Sequence, residues 1–184
     1  LTDVGGDVAH VLQETAKRQL QLQAVWLTHG HLDHAGGVAD LLKQQTVPVW
    51  GPHADDGYLL ESLPQTTASY ASYGFPIAEA FVPDGWLSEG GKLKVGAYEF
   101  DVLHIPGHTP GHVVFYCAAE KLLIAGDVLF YESIGRTDFP RGNHADLISN
   151  ITGKLLVLPE DTRVIPGHGR MTTIGHEKRH NPFL

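Results

Sequence analysis

Thr28-His29-Gly30-His31-Leu32-Asp33-His34 closes the apolar run Ala24-Val25-Trp26-Leu27 and concentrates three imidazoles and a carboxylate in one short stretch. Such a density of metal-ligand types does not serve a hydrophobic core. His29 and His31 are two residues apart, so on an extended segment they project from the same face. Asp33 and His34 fall where the chain turns into a helix and reach a second point nearby. A strand that ends in ligands, followed by a turn that supplies more, reads as a site for two metal ions sharing one loop.

Three downstream segments repeat this design. Pro106-Gly107-His108-Thr109-Pro110-Gly111-His112 follows the strand-like Phe100–Leu103, Gly126-Asp127 follows Leu122–Ala125, and Pro166-Gly167-His168-Gly169 follows Arg163–Ile165. In each, an apolar run delivers a His or Asp beside a Gly, which permits unusual backbone angles or close approach. Ligands carried on strand ends are held rigidly, as a metal's geometry requires.

The order His-x-His-x-Asp-His, Pro-Gly-His, Gly-Asp, Gly-His-Gly resembles the metallo-β-lactamase superfamily. THGHLDHAGG, PGHTPGH, GDVLF, GRTDFPRG, IPGHG and the terminal NPFL resemble its small, single-domain, glyoxalase II-like branch (YcbL-like hydrolases), from Gly5-Gly6-Asp7 to Leu184. The resemblance implies that His29, His31 and His108 bind one metal, that Asp33, His34 and His168 bind the other, and that Asp127 bridges both. A set of five His and two Asp without Cys favours zinc, with iron or manganese also compatible. The implied fold is a four-layer αββα sandwich with the metals at one edge; the residue pattern alone supports only mixed α and β.

The implied activity is that of a metal-dependent hydrolase of the glyoxalase II type, cleaving S-lactoylglutathione or a related thioester. Two ions lower the pKa of bound water, so the nucleophile would be a metal-bridging hydroxide, with Asp33 accepting its hydrogen bond and Asp127 holding the pair of ions. A thiolate leaving group needs little protonation because a thiol pKa is roughly 8.5–9. A β-lactam or amide would need an acid for its nitrogen, and the sequence offers no obvious one.

Arg136, in Gly135-Arg136-Thr137-Asp138, stands where glyoxalase II enzymes carry a basic residue for a substrate carboxylate, and its planar fork suits that task. Equally, it could pair with Asp138. An alternative activity in the same fold is that of a mononuclear iron persulfide dioxygenase, whose trio would be His29, His108 and Asp127. Larger glyoxalase II enzymes add a helical domain with basic residues for glutathione, whereas this sequence ends at NPFL, which puts the glutathione moiety in doubt.

The other histidines read blandly. His112 is a support or strand-start residue and His104 a loop residue or a support of the metal shell. His10, His53, His144, His176 and His180 read as solvated, and Tyr131, Ser133 and Phe139 as packing more than pocket lining.

The chain has 184 residues, which suits a single domain over 1–184 with a substantial core. A formal charge of -8 with no basic run argues against a nucleic-acid partner, so the expected partner is a small-molecule thioester. No apolar stretch approaches the roughly 20 residues needed to cross a bilayer, and no secretory signal is visible. The single Cys, Cys117, excludes an internal disulfide, reads as a buried strand residue and fits a cytoplasmic setting. Asp3-Val4-Gly5-Gly6-Asp7 matches the end of a segment that usually follows two further strands, so about 25–30 residues of an ordinary family member are expected to be missing before Leu1.

Periodicity predicts a helix over Val8–Leu20 capped by Asp7, a strand at Ala24–Leu27, a helix over Gly36–Gln44, a strand at Val47–Trp50 and helical pieces at Ala54–Ser62 and Ser69–Tyr73. Strands are expected at Ala80–Val82, Lys92–Val95, Tyr98–His104, His112–Cys117 and Lys121–Ala125. A helix at Ala145–Thr152, a strand at Arg163–Ile165 and a helix at Thr173–His180 complete the pattern.

Overall fold

A computed structural model describes residues 1–70, 72 and 77–184, so Ala71 and Tyr73 of the expected helical piece Ser69–Tyr73 lie outside the described residues. The chain divides into two compact units, Leu1–Trp86 and Leu87–Leu184.

The first unit begins with helix α1 (Val8–Lys17), where the Asp7 carboxylate accepts from the His10 N–H as predicted. The helix stops three residues short of Leu20, because Gln19 takes a positive φ of 55° and the Leu20 N–H turns back to Thr15 O. Ala16 near the helix's C-terminal end and Leu20 beyond it are exposed.

Strand β1 (Val25–Trp26) pairs in parallel with β2 (Val49–Trp50), placing Val25 beside Val49. The expected Gly36–Gln44 helix is present as the shorter α3 (Val38–Leu42), set apart from a preceding turn of helix, α2 (Leu32–Ala35). The reason is backbone pairing: Val4 donates to His34 O and accepts from the Gly37 N–H, so the chain from Asp3 to Gly5 docks where one continuous helix would have run. A 3₁₀ turn (Ala54–Asp56), α4 (Gly57–Glu61) and α5 (Leu63–Ser69) follow among the described residues. Its core gathers Val4, Val8, Val25, Leu27, Val38, Leu41, Leu60 and Leu63.

Ala80–Val82 does not form the expected strand. Val82 is 79% exposed and precedes Pro83, which has no N–H to offer a ladder, and the pairing falls instead to Gly85, which bridges Trp50.

The second unit is built on a six-stranded sheet in the order β10-β9-β6-β5-β4-β3. Its strands are β3 (Lys92–Val95), β4 (Tyr98–His104), β5 (Val113–Cys117), β6 (Leu122–Gly126), β9 (Arg163–Pro166) and β10 (Thr172–Thr173). Only β6 and β9 pair in parallel, so the sheet is mixed. All five residues of β5 are buried, Cys117 among them, as expected for a central strand covered on both faces.

A short hairpin, β7 (Leu129–Phe130) with β8 (Ser133–Ile134), follows β6. Helix α6 (His144–Asn150) runs into a π-helical turn at Ile151–Leu155, and α7 (Ile174–His180) ends the unit, with the Thr173 hydroxyl accepting from the His176 N–H. Leu123, Ala125, Leu129, Leu147, Ile151 and Ile174 pack in its core. No described helix is long and apolar enough to cross a membrane.

Candidate metal centre

In the first unit the His-rich loop leaves β1 with its imidazoles already oriented. Asp3, with a φ of 56° that Asp tolerates better than most residues, accepts from the Thr28 N–H through Oδ1 at 2.8 Å. Its Oδ2 accepts from the Thr28 hydroxyl at 2.8 Å and from His34 Nδ1 at 2.9 Å. Having donated to Asp3, the Thr28 hydroxyl is an acceptor toward His29 Nδ1 at 3.1 Å. One carboxylate therefore places the ring proton of both His29 and His34 on Nδ1 and leaves Nε2 of each as a lone-pair donor.

His29 Nε2 lies 3.1 Å from His31 Nδ1. Two nitrogens bound to one tetrahedral ion would be separated by about 3.3 Å, so this convergence fits shared ligation. His34 Nε2 lies 3.7 Å from Asp33 Oδ2, beyond hydrogen-bond range and suited to two ligands of one ion. The loop is braced from below by the buried Asp56, whose Oδ2 accepts from the Gly30 N–H at 3.0 Å.

The second unit presents a matching set. Gly107 has a φ of 141°, and a Cβ there would come within 2.5–2.6 Å of Leu147 on α6, so only Gly admits this turn and delivers His108. His108 Nδ1 donates to Arg136 O at 2.7 Å, again leaving Nε2 free of a proton. Asp127 follows β6, and its Oδ2 lies 3.7 Å from His108 Nε2 and 3.6 Å from His168 Nε2. A buried carboxylate oxygen within reach of two imidazole lone pairs suits a ligand shared between ions. His112 Nε2 accepts from the Asp127 N–H at 3.0 Å, fixing the backbone at that point. His112 is thus the support that its spacing suggested.

Within each unit the predicted donors are therefore brought together: His29, His31, Asp33 and His34 in one, and His108, Asp127 and His168 in the other. The chemistry of both sets, imidazoles gathered beside carboxylates, fits divalent metal ions. Sequence reasoning missed the orienting roles of Asp3 and Asp56. Asp3 opens the Asp-x-Gly-Gly stretch, read only as the end of a family segment, and Asp56 falls within the expected helical piece Ala54–Ser62 with no pattern that sets it apart.

Arg136 makes two contacts with Asp138, at 2.6 and 2.5 Å, and stands 4.4 Å over the Phe139 ring. The guanidinium holds the Asp138 carboxyl down to about 2, so the pair keeps its full contribution above the ordinary aspartate range and loses it only as pH falls toward 2. Phe139 meets His108 edge-on, with ring centroids 5.8 Å apart. His104 braces its own loop through Pro110 O at 2.9 Å, and Tyr131 stacks on His176. His180 meets His176 rather than a donor residue.

Comparison with known proteins agrees with this chemistry. A family model described as the metallo-beta-lactamase superfamily matches residues 1–168. A hydroxyacylglutathione hydrolase GloC of Haemophilus influenzae is 46% identical over 185 residues, covering 100% of this chain and 86% of the relative. Among solved structures, BLEG-1 B3 metallo-beta-lactamase has a TM-score of 0.88 at 42% identity over 99% of this chain and 86% of that one. TTHA1623 in a di-iron-bound form has a TM-score of 0.88 at 38% identity, covering 100% and 88%. ETHE1 from Myxococcus xanthus has a TM-score of 0.79 at 30% identity, covering 98% and 71%.

Proposed function

Because the chain belongs to the metallo-beta-lactamase superfamily and shares its α/β fold, we propose that it is a hydroxyacylglutathione hydrolase-like enzyme that cleaves thioesters with two divalent ions. The observation that carries the reading is the orientation of the donors: Nδ1 of His29, His34 and His108 each meets an oxygen acceptor, which turns Nε2 toward His31 Nδ1, Asp33 Oδ2 and Asp127 Oδ2 respectively. In the family's pattern His29, His31 and His108 serve one ion, Asp33, His34 and His168 the other, and Asp127 both. The family model runs through both units, which supports treating 1–184 as one domain.

Divalent ions held by these residues would supply an acidified water as nucleophile and Lewis acidity for the thioester carbonyl. The chain's own residues do the rest. Asp33, 59% exposed at its side chain, is placed to accept a hydrogen bond and turn a lone pair toward the substrate. Asp3, the Arg136 carbonyl and His112 keep the ligands aimed, so little reorganisation accompanies the reaction. Zinc suits this donor set, and the di-iron form of a relative at 38% identity supports iron as well. A cytoplasmic setting and a small-molecule substrate belong to the same reading.

Arg136 is the proposed contact for a substrate carboxylate, exchanging its Asp138 partner for the substrate. Arg136→Ala should raise KM for an anionic thioester by roughly 3- to 10-fold with a smaller change in kcat, as expected when uniform binding is lost. Asp138→Asn should shift KM the other way. An unchanged KM in Arg136→Ala would assign the residue to the Asp138 pair alone.

The test is metal analysis of the protein together with S-lactoylglutathione hydrolysis followed by thiol release. About two ions per chain and chelator-sensitive thiol release are expected. The likeness to ETHE1 leaves open the competing reading, the persulfide dioxygenase built on His29, His108 and Asp127. One iron per chain with oxygen uptake on glutathione persulfide, and no thiol release, would establish that reading instead. The likeness to BLEG-1 makes a chromogenic β-lactam a useful third substrate, on which the want of an acid for the leaving nitrogen predicts slow turnover.

A further inference from the structure

Glu177 is fully buried on α7, far in sequence from every proposed ligand except His168, and its carboxylate is met by three donors. Oε2 accepts from the Glu132 N–H at 2.9 Å and from Asn181 Nδ2 at 2.8 Å, while Oε1 accepts from the Thr172 hydroxyl at 2.5 Å. As glue for a helix this is a poor choice, since apolar residues do as well without desolvating a charge. What the three donors have in common is where they lead.

Glu132 lies at the tip of the β7–β8 hairpin with a φ of 51°, and the neighbouring Ser133 O accepts from Asn181 Nδ2 at 3.0 Å. Helix α7 and the residue after it therefore grip two consecutive residues of the tip. Down β8 from that grip, Gly135 donates to Val128 O and lies so close to Asp127 that a Cβ would meet its carbonyl oxygen. The next carbonyl, Arg136 O, is the acceptor that fixes the His108 ring at 2.7 Å. The third donor, Thr172, pairs with Val164 across β10 and β9 and so closes the loop that carries His168.

We infer that Glu177 is a positioning residue for the proposed metal ligands His108 and His168, acting through the β7–β8 hairpin and through Thr172. The inference rests on the metal-binding reading above for its consequence, and on geometry within one unit for its cause. Glu177→Gln tests the mechanism closely. A Gln carbonyl can take both N–H donors while its amide faces Thr172, whose hydroxyl turns from donor to acceptor. Glu177→Leu takes the acceptor from three donors, two of them on the buried residues Thr172 and Asn181.

The experiment follows two quantities in the full chain. One is the His108 Nδ1–H proton resonance of the metal-free protein; the other is zinc affinity by chelator competition. In Glu177→Leu the resonance should shift or broaden, zinc affinity should fall roughly 10- to 100-fold, the scale of a lost orienting contact, and kcat should fall more than KM. Glu177→Gln should restore the resonance and bring zinc affinity to within about threefold of wild type. A folded Leu variant with wild-type resonance and affinity overturns the proposal, as does a Gln variant no better than Leu. If Glu177→Leu does not fold, Asn181→Ala, which frees Ser133 O and removes one of the three donors, must move the same resonance or the proposal fails. A wild-type protein that binds no zinc would end the metal reading, while the resonance would still report on Glu177.

Discussion

Asp127→Ala should purify as a folded protein, hold substantially less than one divalent ion per chain, and release thiol from S-lactoylglutathione at least about 10³-fold more slowly than wild type, well beyond the 10- to 100-fold typical of losing an outer-shell contact. Asp127 Oδ2 lies within 3.7 Å of two imidazole Nε2 atoms, so its loss removes an anionic oxygen that both donors face. The fold around it should survive. The contact that fixes this turn is made by the backbone, from the Asp127 N–H to His112 Nε2, and Ala keeps it. Asp127→Asn separates charge from shape: it retains an oxygen and the volume but not the negative charge, and should recover less than one tenth of the lost activity, on the order of one ligand's contribution. Metal content, circular dichroism and thiol release measured on the same preparations decide it. A variant with two ions and normal turnover would refute the shared-carboxylate arrangement.

The donor residues were legible because metal chemistry leaves few residue types to choose from and because strand ends are marked by apolar runs followed by Gly. His29, Asp127 and His168 each stand at such a transition. The sheet of the second unit was legible for the same reason, since alternation in Tyr98–His104 and the unbroken apolar run Val113–Cys117 each correspond to a strand with the expected burial. What could not be read was anything decided by pairing across the chain. The Gly36–Gln44 helix is shortened to Val38–Leu42 and kept apart from α2 where Val4 takes the Gly37 N–H, and the Ala80–Val82 strand fails because Gly85 bridges Trp50 in its place. The orienting carboxylates were hidden for a related reason. Asp3, Asp56 and Glu177 sit 25, 26 and 45 residues from the backbone groups they fix, and no local pattern distinguishes them from surface acids. Arg136 was visible as a candidate, but its pairing with Asp138 depends on side-chain geometry that spacing does not set.

Asp3→Asn, a change of one atom with no change of volume, should weaken divalent metal binding by about 10- to 100-fold or more, because it reverses the protonation of two ligands at once. With the Asn oxygen kept on the Thr28 N–H, the amide NH₂ occupies the place of Oδ2. It then faces the Thr28 hydroxyl and His34 Nδ1, both of which donate to Oδ2 in the native arrangement. His34 must move its proton to Nε2 to accept from the amide, and Nε2 is the atom needed by the metal. The Thr28 hydroxyl must likewise accept from the amide, and its own proton then turns toward His29 Nδ1 at 3.1 Å. His29 in turn shifts its proton to Nε2. Nitrogen-15 shifts of the imidazoles in the metal-free protein should show the exchange directly, with Nε2 of both rings moving from unprotonated to protonated. Asp3→Ala removes the acceptor without imposing the opposite tautomer, so it should bind metal more tightly than Asp3→Asn although it loses more contacts. That inverted order separates orientation of the ligands from simple loss of packing; Asp3→Asn binding as well as wild type would show that Asp3 does not set the ring protons.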